Sequence, residues 1–82
     1  GIMVTRKIKF TFTTKLIKKP VIYYLGKSFD IVTNIRRAEI HDSLGWVVLE
    51  LEGTENEIER GLNWVRDEGV IVESIQGDII AG

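Results

Sequence analysis

One histidine, His41, stands among the 82 residues, and there is no cysteine. A metal site with two histidine ligands is therefore excluded. So are a disulfide, an iron–sulfur ligand and a thiol nucleophile within these residues. Asp42, next in sequence to His41, alternates to the opposite side of an extended chain, and a lone histidine near a turn reads as a surface residue. Ser28, Ser43 and Ser74 have no histidine spaced as a base and no glycine elbow, so acyl transfer lacks support. The glycines are scattered rather than gathered into a phosphate-cradling loop. The carboxylates Glu55, Glu57, Glu59 and Glu68 read as the solvated outer side of one helix. The residues offer recognition rather than catalysis, so no enzyme activity, cofactor or metal is expected.

The chain is 44% apolar and 28% charged. That apolar share is too high for intrinsic disorder, and a single domain of this length buries roughly 60–65% of its unfolded surface. No apolar run approaches the ~18 residues of a membrane span, and no secretory signal opens the chain. Both features, with the absence of cysteine, fit a cytoplasmic protein without direct membrane insertion. Eleven Lys+Arg stand against 12 Asp+Glu, a formal net charge of -1. A duplex-binding domain normally carries a basic excess, because neutralised phosphates supply most of its affinity. The positive residues nevertheless crowd the start, with Arg6, Lys7, Lys9, Lys15, Lys18 and Lys19 there and most carboxylates in the second half. If the halves interleave, these charges neutralise one another.

The elements that position these residues follow from periodicity. Residues 1–3 read as a start remnant, 4–76 as one domain and 77–82 as a frayed tail. Val4 to Thr13 alternates, with Val4, Ile8, Phe10 and Phe12 on one face and Thr5, Lys7, Lys9, Thr11 and Thr13 on the other, the mark of a half-buried strand. Pro20 opens a short helix through Val21, Tyr24, Leu25 and Ser28, where its missing N–H costs nothing. Ile31, Thr33 and Ile35 share one phase, whereas Ala38 and Ile40 share the opposite one. Both sets can face a core only across a phase slip near Arg36–Arg37, which a β-bulge supplies. Asp42-Ser43-Leu44-Gly45 reads as a hairpin loop. Trp46 to Glu52 then forms a strand with Val47, Leu49 and Leu51 inward. Thr54-Glu55-Asn56-Glu57 is a capping box, in which Thr54 meets an orphan N–H and Glu57 reaches back. Ile58, Gly61, Leu62 and Val65 form a 3.6-period stripe, and Gly69 ends that helix. Val70 to Ile75 is the last strand. Gly26 and Gly61, both within helices, predict close packing of helix on helix or sheet.

The order β-α-β-β-α-β predicts an α+β, ferredoxin-like βαββαβ fold. Its four-stranded antiparallel sheet has two helices on one face and the first strand between the third and fourth. The other face is bare. It carries Lys7, Lys9, Trp46, Val48, Glu50 and Glu52, and reads either as a solvated, charge-paired surface or as one that a partner covers. Tryptophan is enriched at interface hot spots, which favours a homodimer. RNA-recognition modules share this topology, but they stack bases on several exposed aromatics. Here the first strand turns Phe10 and Phe12 inward and leaves one exposed aromatic, so no nucleic acid is expected.

With the topology in place, several stretches together resemble one family. They are Pro20-Val21-Ile22, Phe29-Asp30-Ile31-Val32-Thr33-Asn34-Ile35-Arg36, Gly45-Trp46-Val47-Val48-Leu49-Glu50-Leu51-Glu52-Gly53-Thr54, Leu62-Asn63-Trp64-Val65 and Gly69-Val70-Ile71-Val72-Glu73. Their order and spacing resemble the NIL domain, named for an Asn-Ile-Leu tripeptide on its second strand. The resemblance spans roughly residues 6 to 76. It implies a ferredoxin-like fold similar to ACT domains. It also implies a regulatory role like that at the C-terminus of the ATPase of methionine-import ABC transporters, where such domains dimerise and bind methionine near the interface. Other members stand alone or precede a ferredoxin domain in proteins linked to sulfur metabolism. Carried onto this chain, the tripeptide falls on Asn34, Ile35 and Arg36, with Arg36 in place of leucine. Asn34 offers a donor and an acceptor to a ligand's amino or carboxylate group, while a guanidinium at Arg36 favours an anion. The resemblance thus implies a regulatory domain binding a small amino-acid-like ligand at a homodimer interface. The alternative is a ligand-free docking module attached to a ferredoxin or a transporter ATPase.

Overall fold

A computed structural model describes residues 1–13 and 20–75. The elements are β1 (Met3–Thr13), α1 (Val21–Ser28), β2 (Val32–Ile40), β3 (Leu44–Thr54), α2 (Glu55–Asp67) and β4 (Ile71–Ser74). The four strands form one antiparallel sheet in the order β2-β3-β1-β4. The fold is the expected ferredoxin-like βαββαβ arrangement. The tail at 77–82 and the segment of Lys15, Lys18 and Lys19 lie outside the described residues.

The alternation in β1 and β3 decides which side of the sheet is covered. Ile8 and Phe10 of β1 and Val47, Leu49 and Leu51 of β3 are buried, and they cluster with Leu25 of α1 and with Ile58, Leu62 and Val65 of α2. Both helices therefore lie on the same face, and among the described residues nothing comparable covers the other. Trp64 packs at the margin of this core with its ring centroid 5.9 Å from that of Phe29.

Helix α2 begins as the sequence predicts, with the Glu57 N–H donating to Thr54 Oγ1 at 3.2 Å. The reciprocal half of the capping box is replaced. The Glu57 carboxylate instead accepts from the Asp30 N–H at 2.9 Å and from Arg60 at 2.7 Å. It thereby ties the α1–β2 connection to the start of α2, because a tertiary donor competes successfully for its oxygens. At the other end Gly69 adopts φ 97°, and the Val70 N–H returns to the Val65 carbonyl at 3.4 Å, closing the helix with a left-handed residue.

The two helical glycines differ. A Cβ on Gly61 would lie 2.7 Å from both Ile31 Cδ1 and Leu25 Cδ1, so the close approach is real there. A Cβ on Gly26 would meet nothing nearer than 3.7 Å, so the tight packing expected at that position is absent.

Candidate functional site

The uncovered face is laid out by register. Lys7 lies directly opposite Glu50, Lys9 opposite Val48 and Thr11 opposite Trp46 on the β1–β3 ladder. On the β2–β3 ladder Asn34 lies opposite Glu50, Arg37 opposite Val48 and Glu39 opposite Trp46. Paired residues share a face, so Lys7, Lys9, Trp46, Val48 and Glu50 are brought together as expected, with Asn34, Arg37 and Glu39 beside them. Trp46 is held between two cations. Lys9 Nζ stands 5.2 Å from its ring centroid and the Arg37 guanidinium 5.8 Å. Such contacts contribute about 0.5–1 kcal/mol at exposed sites. Trp46 and Val48 are half-buried, while Val32 and Ile71 on the same face are 60% and 61% exposed.

The phase slip in β2 falls where the spacing of its apolar residues puts it. The ladder shifts register between Ile35 and Arg37, leaving Arg36 as the extra residue. The slip determines where the three tripeptide positions point. Asn34 faces the uncovered side opposite Glu50, and Arg36 Nη1 reaches Glu50 Oε1 at 3.9 Å. Ile35 shares the helix side with Leu49. Asn34 and Arg36 thus flank one carboxylate, whereas the Ile35 side chain stands on the other side of the sheet. The side chain of Asn34 makes no hydrogen bond among the described residues, so its amide is available.

Two features lie outside the sequence reading. Arg37 has no role in it, although the same phase slip that turns Ala38 inward also returns Arg37 to the uncovered face. Arg6 shares the phase of Ile8 yet is charged. Its guanidinium, at the margin of the sheet, donates to Glu59, to Glu55 at 3.4 Å and to Ser74 Oγ at 3.1 Å. The hydrogen bond to Glu59 raises the pKa of this arginine above its ordinary value, against the opposing effect of burial. Glu55 and Glu59 pair with Arg6 while staying on the exposed side of the helix, whereas Glu57, which is half-buried and holds Arg60 and the Asp30 N–H, departs from the solvated helix side expected for it.

Among the described residues no cluster of histidine, aspartate or glutamate has the geometry to hold a metal ion. Among the described residues no helix is long and apolar enough to cross a membrane.

Comparison with known proteins places this geometry in a family. The chain is 30% identical over 64 residues to methionine import ATP-binding protein MetN 1 of Bacillus cereus, covering 73% of this chain and 18% of the relative. The Bacillus anthracis protein of the same name matches with the same identity and coverage. The chain therefore spans under one-fifth of the length of these relatives. Among solved structures, the C-terminal domain of an ABC transporter/ATP-binding protein from Enterococcus faecalis superposes with a TM-score of 0.78 at 19% identity, covering 89% of this chain and 86% of that one. The de novo designed protein Ferredog-Diesel superposes with a TM-score of 0.54 at 22% identity, covering 89% and 85%. Both likenesses establish the fold. Residues 6–74 match the model of the NIL domain, and the chain belongs to the NIL domain family.

Proposed function

We propose that this chain is a non-enzymatic regulatory domain. In this reading residues 4–76 bind a small amino-acid-like ligand, methionine or a related sulfur metabolite, at a homodimer interface. The single observation that carries the reading is the family match over residues 6–74, alongside relatives named for methionine import. The local chemistry supports it. Asn34 presents an uncommitted amide, and Arg36 beside it is bound only at 3.9 Å to Glu50, a contact that a ligand carboxylate can replace. Ile35 contributes to such a site through its backbone, since its side chain stands on the opposite side. The face bearing Lys7, Lys9, Trp46, Val48 and Glu50 is then the surface that a second copy covers. Regulation follows by linkage: a ligand preferring one pairing geometry shifts an attached domain, such as a cytoplasmic transporter ATPase, by its differential affinity.

The test is a titration of the chain with methionine and homocysteine while thermal unfolding is followed. A ligand at about 100 times its Kd adds about 2.7 kcal/mol, which raises the midpoint of a domain this size by roughly 10 °C or more. Asn34→Ala should abolish the shift. A flat response to both compounds would leave only a docking module, which the cation-flanked Trp46 on an uncovered face also suits. A shift unchanged in Asn34→Ala would remove the site from the second strand.

A further inference from the structure

The bulge in β2 does more than restore the core phase. In a regular strand, consecutive side chains point to opposite faces. Here the extra residue puts both Arg36 and Arg37 on the uncovered side, with Arg36 reaching Glu50 at 3.9 Å and Arg37 lying 5.8 Å from the Trp46 ring centroid. Two adjacent guanidiniums on one face repel each other unless anions answer them. One carboxylate, Glu50, lies beside Arg36, and it already stands opposite Lys7. Arg37 makes no ion pair among the described residues, and neither does Lys9 across the sheet from it.

Register shows how local this surplus is. One row across the strands holds Asn34, Glu50 and Lys7, with Arg36 reaching into it, and the next holds Arg37, Val48, Lys9 and Glu73. Four cations therefore surround two carboxylates in these rows. The next carboxylates on β2 and β3, Glu39 and Glu52, stand in the rows beyond, and Glu39 lies 3.5 Å from His41.

We infer that Arg37 selects the ligand of this face, an amino acid whose side chain ends in an acid: a carboxylate, a sulfonate or a phosphate. The inference rests on the proposed amino-acid site and adds a second acid to its ligand. Arg36, released from Glu50, takes the main carboxylate. Glu50 then takes the ammonium, with the Asn34 amide alongside. The ligand's side chain runs over Val48 to Arg37. Glu50 and Val48 are successive same-face positions, roughly 7 Å apart. The two arginines beside them are thus spaced for the two ends of one small molecule. Trp46 prepares Arg37 for this task, because contact with the ring holds the guanidinium without using its N–H donors, which stay free for an acid. A thioether in the same place would leave those donors unanswered.

Calorimetric titration of the whole chain at fixed ionic strength tests this with methionine, 2-aminoadipate, homocysteate and phosphohomoserine. The last three put a carboxylate, a sulfonate and a phosphate on side chains of similar length, and the tightest of them identifies the acid. At least one should bind about tenfold or more tightly than methionine, the effect of one charge-assisted hydrogen-bonded contact. Arg37→Gln should erase that preference by weakening the acidic probe while leaving methionine unchanged. Arg37 is exposed, and circular dichroism checks that the variant folds. Methionine binding as tightly as every acidic probe would overturn the inference and leave the proposed function in place. So would an acidic preference that persists in Arg37→Gln. If none of these compounds binds, the proposed function falls, and this inference falls with it.

Discussion

At the scale of single residues, backbone crowding decides which glycines matter. Gly26 is an exposed helical position with room for a methyl group. Glycine there carries only its conformational cost, so Gly26→Ala should stabilise the protein by about 0.5–1 kcal/mol. Gly53 is the opposite case. A Cβ there would stand 2.9 Å from the Asp30 carbonyl oxygen, and a backbone atom cannot swing aside as a side-chain tip can. Gly53→Ala should therefore destabilise by about 1–3 kcal/mol, the usual cost of overpacking. Urea unfolding of both variants reads the two signs in one experiment. Spacing alone could not separate Gly26 from Gly61, because crowding depends on which side chains arrive from other elements.

At the scale of elements, the edges of the sheet were more legible than its ties. The bulge in β2 could be read directly, because Ile31, Thr33 and Ile35 keep one phase and Ala38 and Ile40 the other. Their burial could not. Helix α1 has eight residues, about 12 Å at 1.5 Å each, whereas the nine residues of β2 run roughly 30 Å. The helix is too short to shield the whole strand, so residues with an inward phase stay exposed. The opposite orientations of Asn34 and Ile35 follow from the same phase argument, yet the meeting of Arg36 with Glu50 followed only once register was known. Arg6 was hidden for another reason: a charged residue on a core phase looks like an interruption until its acceptors arrive from α2 and β4. This guanidinium joins β1 to both elements, and its fork suits three acceptors in a way an ammonium does not. Arg6→Lys should accordingly cost about 1 kcal/mol, the upper range for an exposed network, with Arg6→Ala no better. The raised pKa of Arg6 means that its contribution is fully present below the ordinary arginine range and is lost only as pH rises through the folded value. The Arg6→Lys deficit should thus stay constant across neutral pH in urea unfolding.

At the scale of the whole molecule, the two-layer form sets the functional question. The shortest principal extent is 16 Å, room for one sheet and one layer of helices. The arrangement of elements was legible because each strand and helix carries its own period, and right-handed crossovers leave one strand order. What meets the uncovered face was not legible, because a neutral mixture of lysine, arginine and glutamate suits water and a partner alike. Trp46 can report on the difference. It is half-buried in the isolated chain, and the other tryptophan, Trp64, can be replaced to isolate its signal. In a Trp64→Phe background, a second copy seated on the sheet face would remove water from around Trp46. Its emission should then move to the blue, and acrylamide quenching should fall, as protein concentration rises through the range in which sedimentation equilibrium reads a doubling of mass. A contact made elsewhere leaves the indole as accessible in the assembly as in the monomer. Quenching that stays flat while the mass doubles would therefore overturn pairing through the sheet face, and would leave that face for the attached domain.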